Sequence, residues 1–142
     1  NDKNIILCIF TADCMPVFMA SRDYSVVSVI HAGWRGLACG IIESALIRFK
    51  NDFGIRAQDV FAYIGPHIKQ CCYEIGSDVQ KAFELPDGTK KLSLSLQAVK
   101  QMEAFGIKRI YVNSHCTCHE TEMFYSYRRQ PTDSRMMSII SV

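Results

Sequence analysis

The chain has 142 residues, of which 49% are hydrophobic and 21% charged, and its net charge is +2. That composition suits one soluble globular domain with a real core. The charge is too small, and too evenly spread, to argue for nucleic acid or a membrane surface as partner. No apolar run is long enough to span a bilayer, and no signal peptide opens the chain at Asn1. The cysteine count is odd, seven in all, and several cysteines sit inside apolar runs. This reads as thiols in a reducing compartment, the cytoplasm, rather than a secreted disulfide framework.

In chain order, Ile5–Phe10 is an apolar run of strand length, interrupted by Thr11-Ala-Asp-Cys-Met-Pro16. Val17–Ala20 and Ser25–Ile30 read as strands, with Ser21–Tyr24 as the hairpin loop between them. His31-Ala-Gly-Trp-Arg-Gly36 leads into a helix whose apolar positions Ile41, Ile42, Ala45, Leu46 and Phe49 recur at helical spacing. A turn over Asn51–Gly54 precedes a buried strand, Val60–Ile64. Gly76–Leu85 is a short helix stopped by Pro86. Leu94, Ala98, Met102 and Phe105 mark an amphipathic helix with Gly106 at its end. Arg109–Val112, Phe124–Tyr127 and Met136–Val142 read as strands. Together these predict one layered α/β (α+β) domain with a mixed β-sheet flanked by helices.

The hairpin predicts a chemical pair. With a four-residue loop at Ser21–Tyr24, Ala20 faces Ser25, and the same register sets Cys14 opposite His31. Opposed Cβ atoms lie about 4.5–5.5 Å apart, which lets a thiolate and an imidazole share a metal. The same proximity suits a Cys–His nucleophile pair, or a core cysteine beside a strand-end histidine. Asp13 is placed to orient a ligand, hold a substrate hydroxyl or cap its loop. Gly33 and Gly36 flank Trp34-Arg35 where backbone amides approach an anion, and Arg35 offers a bidentate phosphate contact. Cys71-Cys72 and Cys116-Thr-Cys118-His119 invite a second metal site. Their spacing does not match paired Cys-x-x-Cys knuckles, so core or surface cysteine is the expectation.

Thr11-Ala-Asp-Cys-Met-Pro16 and His31-Ala-Gly-Trp-Arg-Gly36 resemble the two signature motifs of the laccase-like polyphenol oxidase family. The similarity runs on through Ile64-Gly-Pro66, Cys72-Tyr-Glu-Ile-Gly76, Cys116-Thr117 and Phe124-Tyr-Ser-Tyr-Arg-Arg129. Members are described as purine nucleoside phosphorylases with adenosine deaminase activity. The resemblance implies a metal, zinc with copper as the alternative, held by Cys14, His31 and a histidine upstream of Asn1. This chain is therefore expected to be the carboxyl-terminal part of a longer protein. It implies purine nucleosides and phosphate as substrates and supports a phosphate-holding role for at least one of Arg128 and Arg129, the alternative for Arg129 being a solvated strand-end charge. Tyr125 and Phe124 offer rings to stack on a purine, and strand alternation turns one of the two into the core. The family's fold is also similar to toxin deamidases that use a Cys–His pair, which keeps a cysteine hydrolase or amidase acting on cell-wall precursors in view. A copper phenol oxidase needs many histidines, and this chain has four. A non-catalytic binding module is the remaining alternative. Departures from the family pattern are Ser134 before Arg135, Ser93, Ala98 and His67.

Overall fold

The computed structural model describes residues 5–142. The chain runs β1 (Ile6–Thr11), β2 (Met15–Ser21), β3 (Val27–Ala32), α1 (Trp34–Ala38), α2 (Ile41–Phe53), β4 (Val60–Ile64), α3 (Ser77–Ala82), α4 (Leu94–Ala104), β5 (Arg109–Val112) and β6 (Met136–Ser141), with one 3₁₀ turn at Ala57–Asp59. Four strands form a sheet in the order β3–β2–β4–β5, and β1 pairs with β6 in a second sheet. Among the strand pairs of the described residues only β4–β5 is parallel. This is the mixed sheet with helices that the alternation of elements predicts.

The core is built on β2. Met15, Val17 and Met19 are buried there, with Ala62 and Ile64 of β4 beside them. The helices cover this core with one face each: Ile42, Leu46 and Phe49 from α2, and Leu94, Ala98 and Met102 from α4. Each large apolar side chain so buried contributes about 1.5–3 kcal/mol. The α2 helix runs through the turn expected at Asn51–Gly54 and stops at Gly54. There a φ of +70° aims the amides of Gly54 and Ile55 back at the Lys50 and Phe49 carbonyls.

Two further expectations are corrected. The β2–β3 register is displaced by two residues, so that Ala20 faces Val27 and His31 faces Pro16, not Cys14. Asp23 is the cause. Its carboxylate accepts hydrogen bonds from the Ser21 and Ser25 hydroxyls and the Ser25 amide, which holds Ser25 in the loop. The Ser21 amide then closes the hairpin on the Val26 carbonyl. Those bonds pull the Asp23 carboxyl down to about 2. The second correction concerns Phe124–Tyr127, which is not a strand but an irregular segment between two turns. Buried Ser126 accepts a hydrogen bond from the Arg129 amide through its hydroxyl, and the Arg128 amide is taken by Asp13. Those side-chain partners replace a sheet ladder.

His67 is fully buried, with Nδ1 2.8 Å from the Gly65 carbonyl. Burial pushes its imidazole down to about 4. The Lys69 ammonium adds to this and the Gly65 carbonyl opposes it. The folded state therefore refuses a proton that the unfolded chain accepts. The resulting stability is complete above the unfolded value near 6.5 and is lost as pH falls from there towards 4. The loss expected is about 3 kcal/mol. Urea unfolding at stepped pH should show this slope in the native protein and a flatter one in His67→Asn. An equal slope in both would assign the acid lability elsewhere.

Candidate active site

The turn between β1 and β2 and the end of β3 meet at a cavity of about 470 Å³. That volume falls within the range of small-molecule sites. Cys14 and His31 both line it, together with Asp13, Trp34, Arg35, Tyr73, Tyr127, Arg128 and Arg135. The displaced register moves His31 along its strand by a whole side-chain period, so the imidazole keeps its face. Cys14 instead approaches Gly33, where its sulfur stands 3.1 Å from the point a Cβ would occupy. Gly33 thus leaves room for the thiol; its own φ is an ordinary −78°.

Asp13 sets the turn. Its backbone lies in the left-handed region at φ +82°, and its side chain is buried. One carboxylate oxygen accepts from the Thr117 hydroxyl and the other from the Arg128 amide, each at 2.7 Å. Three distant segments are tied at this point. Burial, and secondarily the Asp13 charge, push the Cys14 thiol up, while Arg135 opposes them.

The cavity is cationic and aromatic. The Arg35 guanidinium lies 4.3 Å from the Trp34 ring centroid, and that of Arg128 lies 5.3 Å from the Tyr73 ring while donating to the Glu74 carbonyl. Arg135 lies 6.0 Å from the Tyr127 ring. Asp13 is the one carboxylate among the lining residues, against three guanidinium groups. Tyr73 is pushed up to about 12 by burial, with Arg128 opposing, so its phenol keeps its proton. Tyr125 is exposed and does not line the cavity; Tyr127 and Tyr73 take the place expected of it. Arg129 is neither free nor in the cavity. It donates to the carbonyls of Thr117, Cys118 and Phe124 and so braces their loop. Tyr73 was legible only as part of the Cys72–Gly76 motif, and Arg135 only as a departure at Ser134-Arg135.

As a place for a metal, Cys14 and His31 offer a sulfur and an imidazole, both donors that zinc takes. Among the described residues no third Cys, His, Asp or Glu joins them in a cluster of three, and both Asp13 oxygens are engaged elsewhere. The two residues fit as part of a ligand set.

No helix among the described residues is long and apolar enough to cross a membrane. The chain is 35% identical to a purine nucleoside phosphorylase of Clostridium acetobutylicum, over 96% of this chain and 62% of that protein. It is 34% identical to purine nucleoside phosphorylase YfiH of Escherichia coli K12, over 99% of this chain and 60% of that protein. A purine nucleoside phosphorylase of Aquifex aeolicus is 36% identical over the whole chain and 68% of its own length. Among solved structures, Bacillus licheniformis hypothetical protein YfiH superposes with a TM-score of 0.92 at 31% identity, covering 99% of this chain and 59% of that one. YlmD from Geobacillus stearothermophilus superposes at 0.90 and 29%, covering 99% and 58%. The chain thus spans about three fifths of the length of most relatives it matches. A family model described as multi-copper polyphenol oxidoreductase laccase matches residues 1–142, and with these relatives it shows that the chain belongs to that laccase-like family.

Proposed function

We propose that this chain carries the larger part of the active site of a purine nucleoside phosphorylase that also deaminates adenosine. Cys14 and His31 are two of the three ligands of a zinc ion, and the third, a histidine, lies outside this chain. The observation that carries the reading is the single cavity holding Cys14, His31, three arginines and three aromatic rings. The names of the relatives support its substrate class. The free thiols among the described residues suit a reducing compartment, the cytoplasm.

Bound zinc would supply water of lowered pKa, the nucleophile that deamination requires. The chain's own residues do the remaining work. Arg35, Arg128 and Arg135 hold phosphate and stabilise its charge. In phosphorolysis a phosphate oxygen bonds to the anomeric carbon while the glycosidic C–N bond breaks. The electron pair leaves with the purine, which then takes up a proton. Trp34, Tyr73 and Tyr127 supply ring faces and two phenolic donors to the base. Asp13 positions the turn that presents Cys14. The names of the relatives lend no support to a cysteine-hydrolase reading.

The test is the phosphate dependence of inosine cleavage by the full-length protein. Arg35→Ala removes a charged hydrogen-bond donor worth about 1.5–3 kcal/mol. Its kcat/KM for phosphate should fall roughly 10- to 100-fold, with the KM for inosine little changed. Unchanged phosphate saturation would remove Arg35 from the phosphate site.

A further inference from the structure

We propose that Cys71, Cys72, Cys116 and His119 form a second, structural zinc site, separate from the Cys14–His31 cavity. Their four donor atoms all lie within 4.8 Å of one another. The Cys71 sulfur is 3.6 Å from that of Cys72, 3.8 Å from that of Cys116, and 3.5 Å from His119 Nδ1. Zinc bonds of about 2.3 Å to sulfur and 2.0–2.1 Å to nitrogen set the edges of a tetrahedron at about 3.8 Å between sulfurs and about 3.6 Å between sulfur and nitrogen. Three of the six edges therefore already have the lengths that one zinc ion imposes. Three thiols and one imidazole are a familiar structural zinc set, and soft sulfur donors disfavour magnesium or calcium.

The fold explains why donors so far apart in sequence meet. Parallel pairing of β4 with β5 sets Phe61 beside Arg109, and beyond the strands the two segments stay together in a parallel bridge between His67 and Cys116, one residue out of that register. Cys71 and His119 lie in the turns that follow this bridge. The surroundings are arranged for a thiolate. The Lys69 amide donates to the Cys116 sulfur at 3.4 Å. Glu120 accepts from the Cys116 amide with one oxygen and contacts His115 Nδ1 with the other, which fixes the turn that carries Cys116 and His119. The neighbouring loop residue Thr117 holds Asp13, and the chain beside Cys72 carries Tyr73 and its ring into the cavity. Zinc at this cluster joins two walls of the candidate active site without touching its substrate.

The experiment uses full-length protein purified under reducing conditions and loaded with zinc or cobalt. A Cys14→Ser, His31→Ala double variant removes the first site, and zinc is counted by native mass spectrometry. One zinc should remain per chain, and the cobalt form should show thiolate-to-cobalt charge-transfer absorption. Adding Cys71→Ser or His119→Ala should weaken that zinc by more than about 100-fold. Both residues are exposed, so the variants should still fold. Cys118→Ser should leave the zinc in place. No zinc in the double variant, or zinc indifferent to Cys71→Ser and His119→Ala, would overturn the site. So would a Cys71–Cys116 disulfide, seen as the loss of both thiol hydrogens from the denatured, metal-free chain of the reduced preparation.

Discussion

Full-length protein carrying His31→Ala is expected to lose phosphorolysis by more than about 100-fold and to lose the zinc held with Cys14. Removing a ligand should exceed the 10- to 100-fold cost of losing an outer-shell partner. His31 is exposed at the cavity on a strand whose neighbours Ile30 and Ala32 are buried. Its removal therefore leaves the core intact, and the melting temperature without metal should hardly move. That separates loss of chemistry from loss of fold. With the cluster around Cys116 loaded, zinc should fall from two equivalents to one. Full activity in His31→Ala would remove the imidazole from the site, whatever the metal content.

The largest effect on stability is expected at Asp13. Asp13→Ala leaves the Thr117 hydroxyl and the Arg128 amide without their acceptor and places alanine at a left-handed φ. Unpairing these groups should cost about 3–5 kcal/mol, with a further 1–2 kcal/mol of backbone strain. Asn tolerates that conformation and keeps one acceptor, so Asp13→Asn should lose only about 1–2 kcal/mol. Urea midpoints measure both. A role confined to holding substrate would leave the two variants as stable as the native protein.

Local periodicity was enough for much of the fold. Val60–Ile64 and Arg109–Val112 form strands with the expected bounds, and the buried faces of α2 and α4 fall on the marked apolar positions, except that Phe105 lies just past the end of α4 and is exposed. Contributions from side-chain chemistry were harder to read. The Asp23 network moved the hairpin loop by one residue, and with it every opposed pair in β2 and β3. Phe124–Tyr127 has strand composition, yet its neighbours' amides are claimed by Asp13 and Ser126. Cys14 and His31 line one cavity, but around the corner of a turn and not as the opposed pair that the expected register set. Cys71-Cys72 and Cys116–His119 invite a metal site in sequence but fail the spacing rule, because that rule describes ligands carried on one knuckle. The four side chains meet from two segments that run beside a parallel strand pair, and no local pattern records that meeting.

The cavity shared by Cys14 and His31 is proposed to split purine nucleosides with phosphate. Phosphorus NMR of full-length protein incubated with inosine and phosphate tests it most directly. A ribose 1-phosphate resonance should grow in step with hypoxanthine and should be absent in Cys14→Ser. Hypoxanthine formed while the phosphate signal stays constant would show hydrolysis instead, and the absence of both products would contradict the assignment.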